Sequence, residues 1–396
     1  MLKILISTTM RWPSAARLAA AFAESGCAVD ALFPEGHALA ASRYPARRHL
    51  YRPLRPLHSL RGAIESSRPD LIVACDDRAV THLLRLHSKA LDEANRGLRD
   101  LIKHSLGAPQ HYAQLASRSG FIAAAREAGI AAPHTIAVET ERDFEVALAE
   151  TGLPAVLKLD ASWGGDGVIV IGTVQEAKAA WRSLSRKPSR LRSLLRAARR
   201  GDAHHLLAAL EPQRPSLSLQ RHVAGNPATT SFACWQGEVI AANHFDVLVT
   251  DGARGPASVV KRIDDPQMDK AARKLARRFQ LSGLHGLDYV RDEAGAAHLI
   301  EINPRATQTG HLAFGAGGDL AAALAARAAN APRRDRPADV TGNLVALFPQ
   351  EWTRDQASPW LGAACHDVPW NDPRVIDACL ASQAARRGTA AILNGR

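Results

Sequence analysis

At 396 residues the chain favours two or three domains of about 150 residues each, and it needs no disulfide or metal staple to bury a core. Hydrophobic residues at 46% and charged residues at 22% exclude a disordered or fibrous protein, and no apolar run approaches the ~18 residues of a membrane-spanning helix. The net charge of +11, from 50 basic and 39 acidic residues, is concentrated: Arg182, Arg186, Lys187, Arg190, Arg192, Arg196, Arg199 and Arg200 fall in one stretch without an acid.

In chain order, an apolar run over 2–6, a helix over 14–24 entered through Pro13, and a strand over 28–33 read as the start of a parallel α/β domain. Leu2 to Ser7 is too short for a signal core, and Arg11 follows at once. The unit repeats at 70–77, a buried strand that ends in Asp76 and Asp77 before a helix over 78–87. Strand ends of this kind face clefts, so these acids read either as an amine-recognising pair or as a helix cap. The first strand is followed by Ser-Thr-Thr-Met-Arg-Trp, which lacks the GxGxxG of a dinucleotide site.

A linker over 105–114 opens a second domain, with a helix near 117–128 and a Gly129-Ile-Ala-Ala-Pro133 turn. Two apolar runs, 155–159 and 167–171, flank a glycine-rich tip and predict a hairpin. After the basic stretch come strand-like segments over 216–223 and 230–240, a helix over 267–279, and a second hairpin over 286–303. A Pro/Arg-rich linker over 331–337 leads to a small C-terminal part. Five cysteines, Cys27, Cys75, Cys234, Cys365 and Cys379, are odd in number and form no CxxC pair, which suits a reducing cytoplasm.

The hairpin over 286–303 carries the most chemistry. With its turn at 292–295, Leu287, Tyr289, Ile300 and Ile302 share the core face, and Asp288 lies opposite Leu299 and diagonal to Glu301. Asp288, Glu301 and Asn303 then gather on the other face. Carboxylates packed across strands cost stability unless a cation offsets them, and this sparse set of hard oxygens suits Mg2+ with Mn2+ as a substitute.

Here the chain resembles the ATP-grasp superfamily. Glu301-Ile-Asn-Pro-Arg305 looks like that family's Glu-x-Asn-Pro-Arg signature, with Asp288 on the preceding strand as the other metal ligand. Val156-Leu-Lys158 followed by Gly164-Gly165-Asp-Gly167 is similar to its phosphate-contacting lysine and the glycine loop that closes over the triphosphate. A lysine point charge meets phosphate oxygens, and glycines let backbone N–H groups approach them. The segment 219–225 resembles the interdomain strand that holds adenine, with Gln220 where Glu is common and Arg221 and Val223 offering main-chain contacts. Arg118 stands where a first nucleotide-binding lysine is usual. After the hinge, Asn226-Pro-Ala-Thr-Thr230 lacks the family's ribose-binding acid.

The resemblance implies an α/β fold in three parts: a Rossmann-like pre-ATP-grasp domain over 1–108, a small ATP-grasp subdomain over 109–215 with the basic insertion at about 182–210, and a large subdomain over 216–330. Residues 338–396 are left as a small extension. It also implies an ATP- and Mg2+-dependent carboxylate–amine ligase passing through an acyl phosphate. Asp288, Glu301 and Asn303 would hold Mg2+, Lys158 the ATP phosphates, and Arg305 the transferred phosphoryl group or the substrate carboxylate. His311 and Thr307 to Thr309 are candidates for the acceptor site. The substrates would be small molecules and the assembly a homodimer. Two rivals keep the ATP site: a bicarbonate-using carboxylase or carbamoyl-phosphate-like synthetase, and a non-catalytic ATP- or nucleic-acid-binding protein suggested by the basic stretch. That stretch reads first as a solvated helical face and, as a further alternative, as an attractor of an anionic acceptor.

Overall fold

Strands β1 (Lys3–Ser7), β2 (Ala28–Phe33), β3 (Arg47–Leu50) and β4 (Leu71–Ala74) form a parallel sheet in the order β3-β2-β1-β4. The computed structural model describes residues 1–90, 92–159, 167–185, 216–252 and 255–382. Helix Ser14–Glu24 is buried nearly all round, Leu18, Ala19 and Phe22 included, while its Glu24 end reaches water. Helix Asp77–Lys89 follows β4 directly, because Asp76 caps it by accepting from the Ala79 amide at 2.8 Å. The same carboxylate accepts from the Thr8 hydroxyl at 2.9 Å and the Thr9 hydroxyl at 2.8 Å. Asp76 thereby ties the end of β1 to the end of β4, and its role is that of the helix cap.

The second sheet is antiparallel, in the order β5-β8-β6-β7: β5 (Thr135–Val138), β6 (Ala155–Leu159), β7 (Val168–Ile171) and β8 (Leu217–Arg221). Alternation sends Ala155, Leu157, Leu217 and Leu219 onto helices Glu141–Thr151 and Val174–Leu184, where Phe144 stacks on Trp181. The opposite parity leaves Val156, Lys158, Ser218 and Gln220 on the other face. The predicted hairpin over 155–171 is present as β6 and β7, closed at its base by the Leu159 amide on the Gly167 carbonyl at 2.8 Å. Its tip, 160–166, and the basic stretch from 186 lie outside the described residues.

The large sheet runs β13-β12-β9-β10-β11-β14-β15, from β9 (Asn226–Trp235), β10 (Glu238–Thr250), β11 (Ala257–Ile263), β12 (Gly283–Arg291), β13 (Ala297–Asn303), β14 (Leu344–Leu347) and β15 (Cys365–Asp367). One face packs on helices Arg118–Glu127 and Pro266–Phe279 through Phe121, Phe232, Leu275, Phe279, Leu287 and Tyr289. Three placements differ from the sequence reading. Helix Arg118–Glu127, placed by sequence in the small subdomain, packs on the large sheet, and β8, placed in the large subdomain, belongs to the small sheet. The segment from 338 supplies β14 and β15 to the large sheet, so its backbone groups are paired within that sheet rather than in a separate unit.

The metal-bearing hairpin has a different register from the expected one. Asp288 lies directly opposite Glu301, not Leu299, and Tyr289 pairs with Leu299. Ile300 is the extra residue of a bulge on β13. Past it the parity changes, so Leu299 and Ala297 enter the core beside Leu287, Tyr289 and Ile302, while Ile300 does not. The physical cause is positional: β12 pairs without a break to β9 on its other side, and β13 is the edge strand, which absorbs the irregularity.

Candidate active site

The second face of the large sheet is divided. Ala233 and Leu284 are apolar and bury against the N-terminal domain, whereas Thr229, Ser231, Asp288, Glu301 and Asn303, at the same parity nearer the hairpin turn, are polar. That polar half meets the C-terminal ends of β1 and β4, the position where an open parallel sheet binds ligands. The Ala306 amide, one residue beyond the Glu301-Ile-Asn-Pro-Arg305 run, donates to the Ala74 carbonyl at the end of β4 at 3.0 Å.

Within this cleft Asp288 accepts from the Thr229 hydroxyl at 2.9 Å and from Asn303 Nδ2 at 2.8 Å. Asn303 Oδ1 accepts from Arg305 Nη2 at 3.0 Å, which fixes the orientation of the amide. Arg305 Nε donates to Asp77 Oδ2 at 2.9 Å, across the boundary with the N-terminal domain. Glu301 pairs with Arg118 Nη2 at 2.9 Å. Burial pushes the Glu301 carboxyl up from its ordinary range, the cations of Arg118 and Lys158 draw it down, and Asp288 and Asp77 push it up again. Burial also works against the Arg305 charge, but Asp77 and Asp288 more than offset it. Lys158 is buried on the cleft-facing side of β6.

The structure therefore brings Arg118, Lys158, Asp288, Glu301, Asn303 and Arg305 into one charged cluster. Gln220 and Arg221 are the last residues of β8 in the small sheet, and Val223 follows on the link to β9 of the large sheet. Gln220 is buried with Nε2 on the Thr135 hydroxyl at 2.9 Å, Arg221 is exposed with its amide on the His134 carbonyl at 2.9 Å, and Val223 is half-buried. Gly225 ends the link at φ +152°, where a Cβ would collide with the Arg291 carbonyl. Gly167 sits at the hairpin base with φ +80°, while Gly164 and Gly165 lie outside the described residues.

His311 is absent from the cleft. It is buried with Nε2 against Asp367 of β15 at 2.7 Å, and Asp367 also pairs with Arg17. Thr307 and Thr309 instead meet Ser231, at 2.6 and 2.5 Å. Two contributors escaped the sequence reading. Thr229 carried no signal beyond β-propensity, and the Asp77–Arg305 contact joins residues 228 positions apart.

Among the described residues, no group of three or more His, Cys, Asp and Glu side chains is placed to hold a metal. The donor set here is two carboxylates and an amide oxygen, with Asp288 and Glu301 at directly opposed strand positions. That chemistry fits Mg2+, which takes few protein oxygens and shares the rest of its shell with water and phosphate. Among the described residues no helix is long and apolar enough to cross a membrane.

A parallel α/β domain, a small antiparallel sheet and a large one, closing around a lysine, an arginine and an acid–amide pair, make up the fold that this chain shares with solved ATP-dependent synthetases and carboxylases. Residues 238–348 match the family described as "ATP-grasp in the biosynthetic pathway with Ter operon". Solved structures share the fold. The Aspergillus clavatus carboxyaminoimidazole ribonucleotide synthase complexed with ATP is 13% identical, with TM-score 0.58, covering 84% of this chain and 78% of its own. The Hydrogenobacter thermophilus 2-oxoglutarate carboxylase biotin carboxylase domain, in complex with MgADP and bicarbonate, is 15% identical, with TM-score 0.57, covering 84% and 71%. The Staphylococcus aureus N5-carboxyaminoimidazole synthetase complexed with ADP is 13% identical, with TM-score 0.56, covering 82% and 77%. No curated protein matches the sequence.

Proposed function

We propose that the protein is an ATP-dependent ligase that activates a small-molecule carboxylate as an acyl phosphate and transfers the acyl group to an amine. The observation that carries this reading is the convergence of Lys158, Arg118 and Arg305 on the Asp288–Glu301–Asn303 face. A site with this composition works by positioning and charge compensation rather than by a protein nucleophile. Asp288, Glu301 and Asn303 would hold Mg2+, which would offset phosphate charge when bound. Lys158 meets the ATP phosphates as a point charge, and Arg118 adds a second cation beside Glu301. Arg305 uses its planar fork on the phosphoryl group in flight or on the acceptor carboxylate. A carboxylate oxygen displaces ADP from the γ-phosphorus; the amine nitrogen then attacks the acyl carbon, inorganic phosphate leaves with the bonding pair, and the nitrogen gives up its proton to the departing phosphate or to water. Gln220, Arg221 and Val223 offer the adenine ring the end of β8 and the backbone that follows it.

Bicarbonate is a second candidate for the activated acid, because a structurally similar carboxylase domain was solved with that anion and MgADP. The test is ADP release from Mg-ATP with pooled carboxylates, with and without pooled amines, and with bicarbonate alone. Turnover is expected to need one carboxylate and one amine. Glu301→Ala and Asn303→Ala are expected to lose about 10²-fold or more of it while keeping a wild-type circular dichroism spectrum. Full turnover in both variants would refute the metal-binding assignment, and bicarbonate alone sufficing would replace ligation by carboxylation.

A further inference from the structure

Asp77 belongs to the N-terminal domain, yet its carboxylate is the anchor of a guanidinium that projects from the far end of the large sheet. Arg305 has five N–H donors. Nε is on Asp77 at 2.9 Å, one Nη2 donor is on Asn303 Oδ1 at 3.0 Å, and one Nη1 donor is on the Ala306 carbonyl at 3.3 Å. The remaining donors sit on the two terminal nitrogens, the edge that grips two oxygens of a tetrahedral anion. Asp77 itself is held firmly. It is the first residue of helix Asp77–Lys89, whose N-cap Asp76 is bonded to Thr8, Thr9 and Ala79, and the Ala306–Ala74 backbone bond fixes the Arg305 loop to the same strand end. Both partners are partly buried, at 20% and 28% side-chain exposure, where an ion pair is screened less than on an open surface.

We infer that Asp77 is a positioning residue for the phosphoryl-transfer site: it holds the Arg305 guanidinium by Nε so that the terminal nitrogens face the phosphate. The N-terminal domain thus contributes a residue to the ATP-dependent step as well as a surface beside it. Asp77 touches neither ATP nor acceptor in this arrangement and acts only through Arg305. The inference rests on the role proposed for Arg305 above.

The test uses the full chain saturated with Mg-ADP and titrated calorimetrically with inorganic phosphate, the product that the Arg305 fork would hold. Wild type is expected to bind phosphate and Arg305→Ala to lose it. Asp77→Asn, which keeps shape and a hydrogen-bond acceptor but removes charge, and Asp77→Ala should weaken phosphate binding by about tenfold or more. Their affinity for Mg-ADP should stay within about twofold of wild type, a split that a general folding defect would not give. Asp77→Glu, which restores the charge, should recover most of the loss. If Arg305→Ala loses phosphate while Asp77→Asn and Asp77→Ala bind it as wild type does, the positioning role is wrong and the Arg305 reading stands. If wild type binds no phosphate, or Arg305→Ala binds it unchanged, the Arg305 reading fails and takes the Asp77 role with it.

Discussion

His37, His82 and His285 illustrate how burial alone sets a side chain's chemistry. Burial pushes each down to about 4. His37 accepts from the Leu39 amide through Nδ1, so its proton sits on Nε2 and is donated to the Trp12 carbonyl at 3.0 Å. In the unfolded chain the same residues titrate near the ordinary 6.5. As pH falls below that value the unfolded chain takes up protons that the folded chain refuses until about 4. Stability is therefore complete above the ordinary histidine range and is lost through this window. The melting temperature is expected to fall between pH 7 and pH 5, and His285→Phe, which keeps the ring contact with Phe232, should make the decline shallower. An unchanged slope would count against the buried histidines as its origin. None of this was legible from sequence, since nothing in one-dimensional order tells which histidines the fold will bury.

The hairpin β12–β13 shows what alternation reveals and what it leaves open. The pattern of Leu287, Tyr289 and Ile302 against Asp288, Glu301 and Asn303 was readable because strand side chains alternate with period two. The bulge at Ile300 was not, because it is set by β12 being locked to β9 while β13 runs along the edge. That irregularity moves Glu301 from a diagonal to a direct partner of Asp288, and so tightens the carboxylate pair. Gly286, opposite Asn303, is the second constraint: a Cβ there would overlap the Thr307 methyl, and Thr307 is fixed by its bond to Ser231. Gly286→Ala is expected to cost about 1–3 kcal/mol and to lower turnover by displacing the loop after Arg305. Urea denaturation and the ADP-release assay would check both effects; a variant with wild-type stability and rate would show that the loop yields freely.

At the scale of the molecule, one apolar cluster crosses what the sequence reads as three parts. Ile4, Leu18 and Phe22 of the N-terminal domain pack with Ala233, Ala241 and Leu284 of the large sheet, Leu324 of helix Leu320–Ala328, and Val375 and Cys379 of the C-terminal segment. Asp367 ties the same three regions, through an ion pair with Arg17 and a hydrogen bond with His311. The small sheet has a core of its own. Leu324→Ala is expected to cost about 3 kcal/mol and to lower amide-exchange protection in β1 and β9 together, leaving β6 unaffected. Loss of protection in only one of β1 and β9 would mean that the shared core does not unfold as a unit.

The sequence by itself determined most of the elements up to about residue 303 and named candidate side chains for the site. Period-two and helical patterns, turn glycines and the Glu301-Ile-Asn-Pro-Arg305 run are local, and local order is what a chain writes directly. Only the tertiary structure decided who meets whom. Asp77 faces Arg305 and Asp288 faces Glu301 because a crossed domain boundary and an edge-strand bulge put them there. The segment from 338 completes the large sheet for a related reason: an unpaired strand edge is satisfied by whichever strand the fold delivers to it, whatever its distance along the chain.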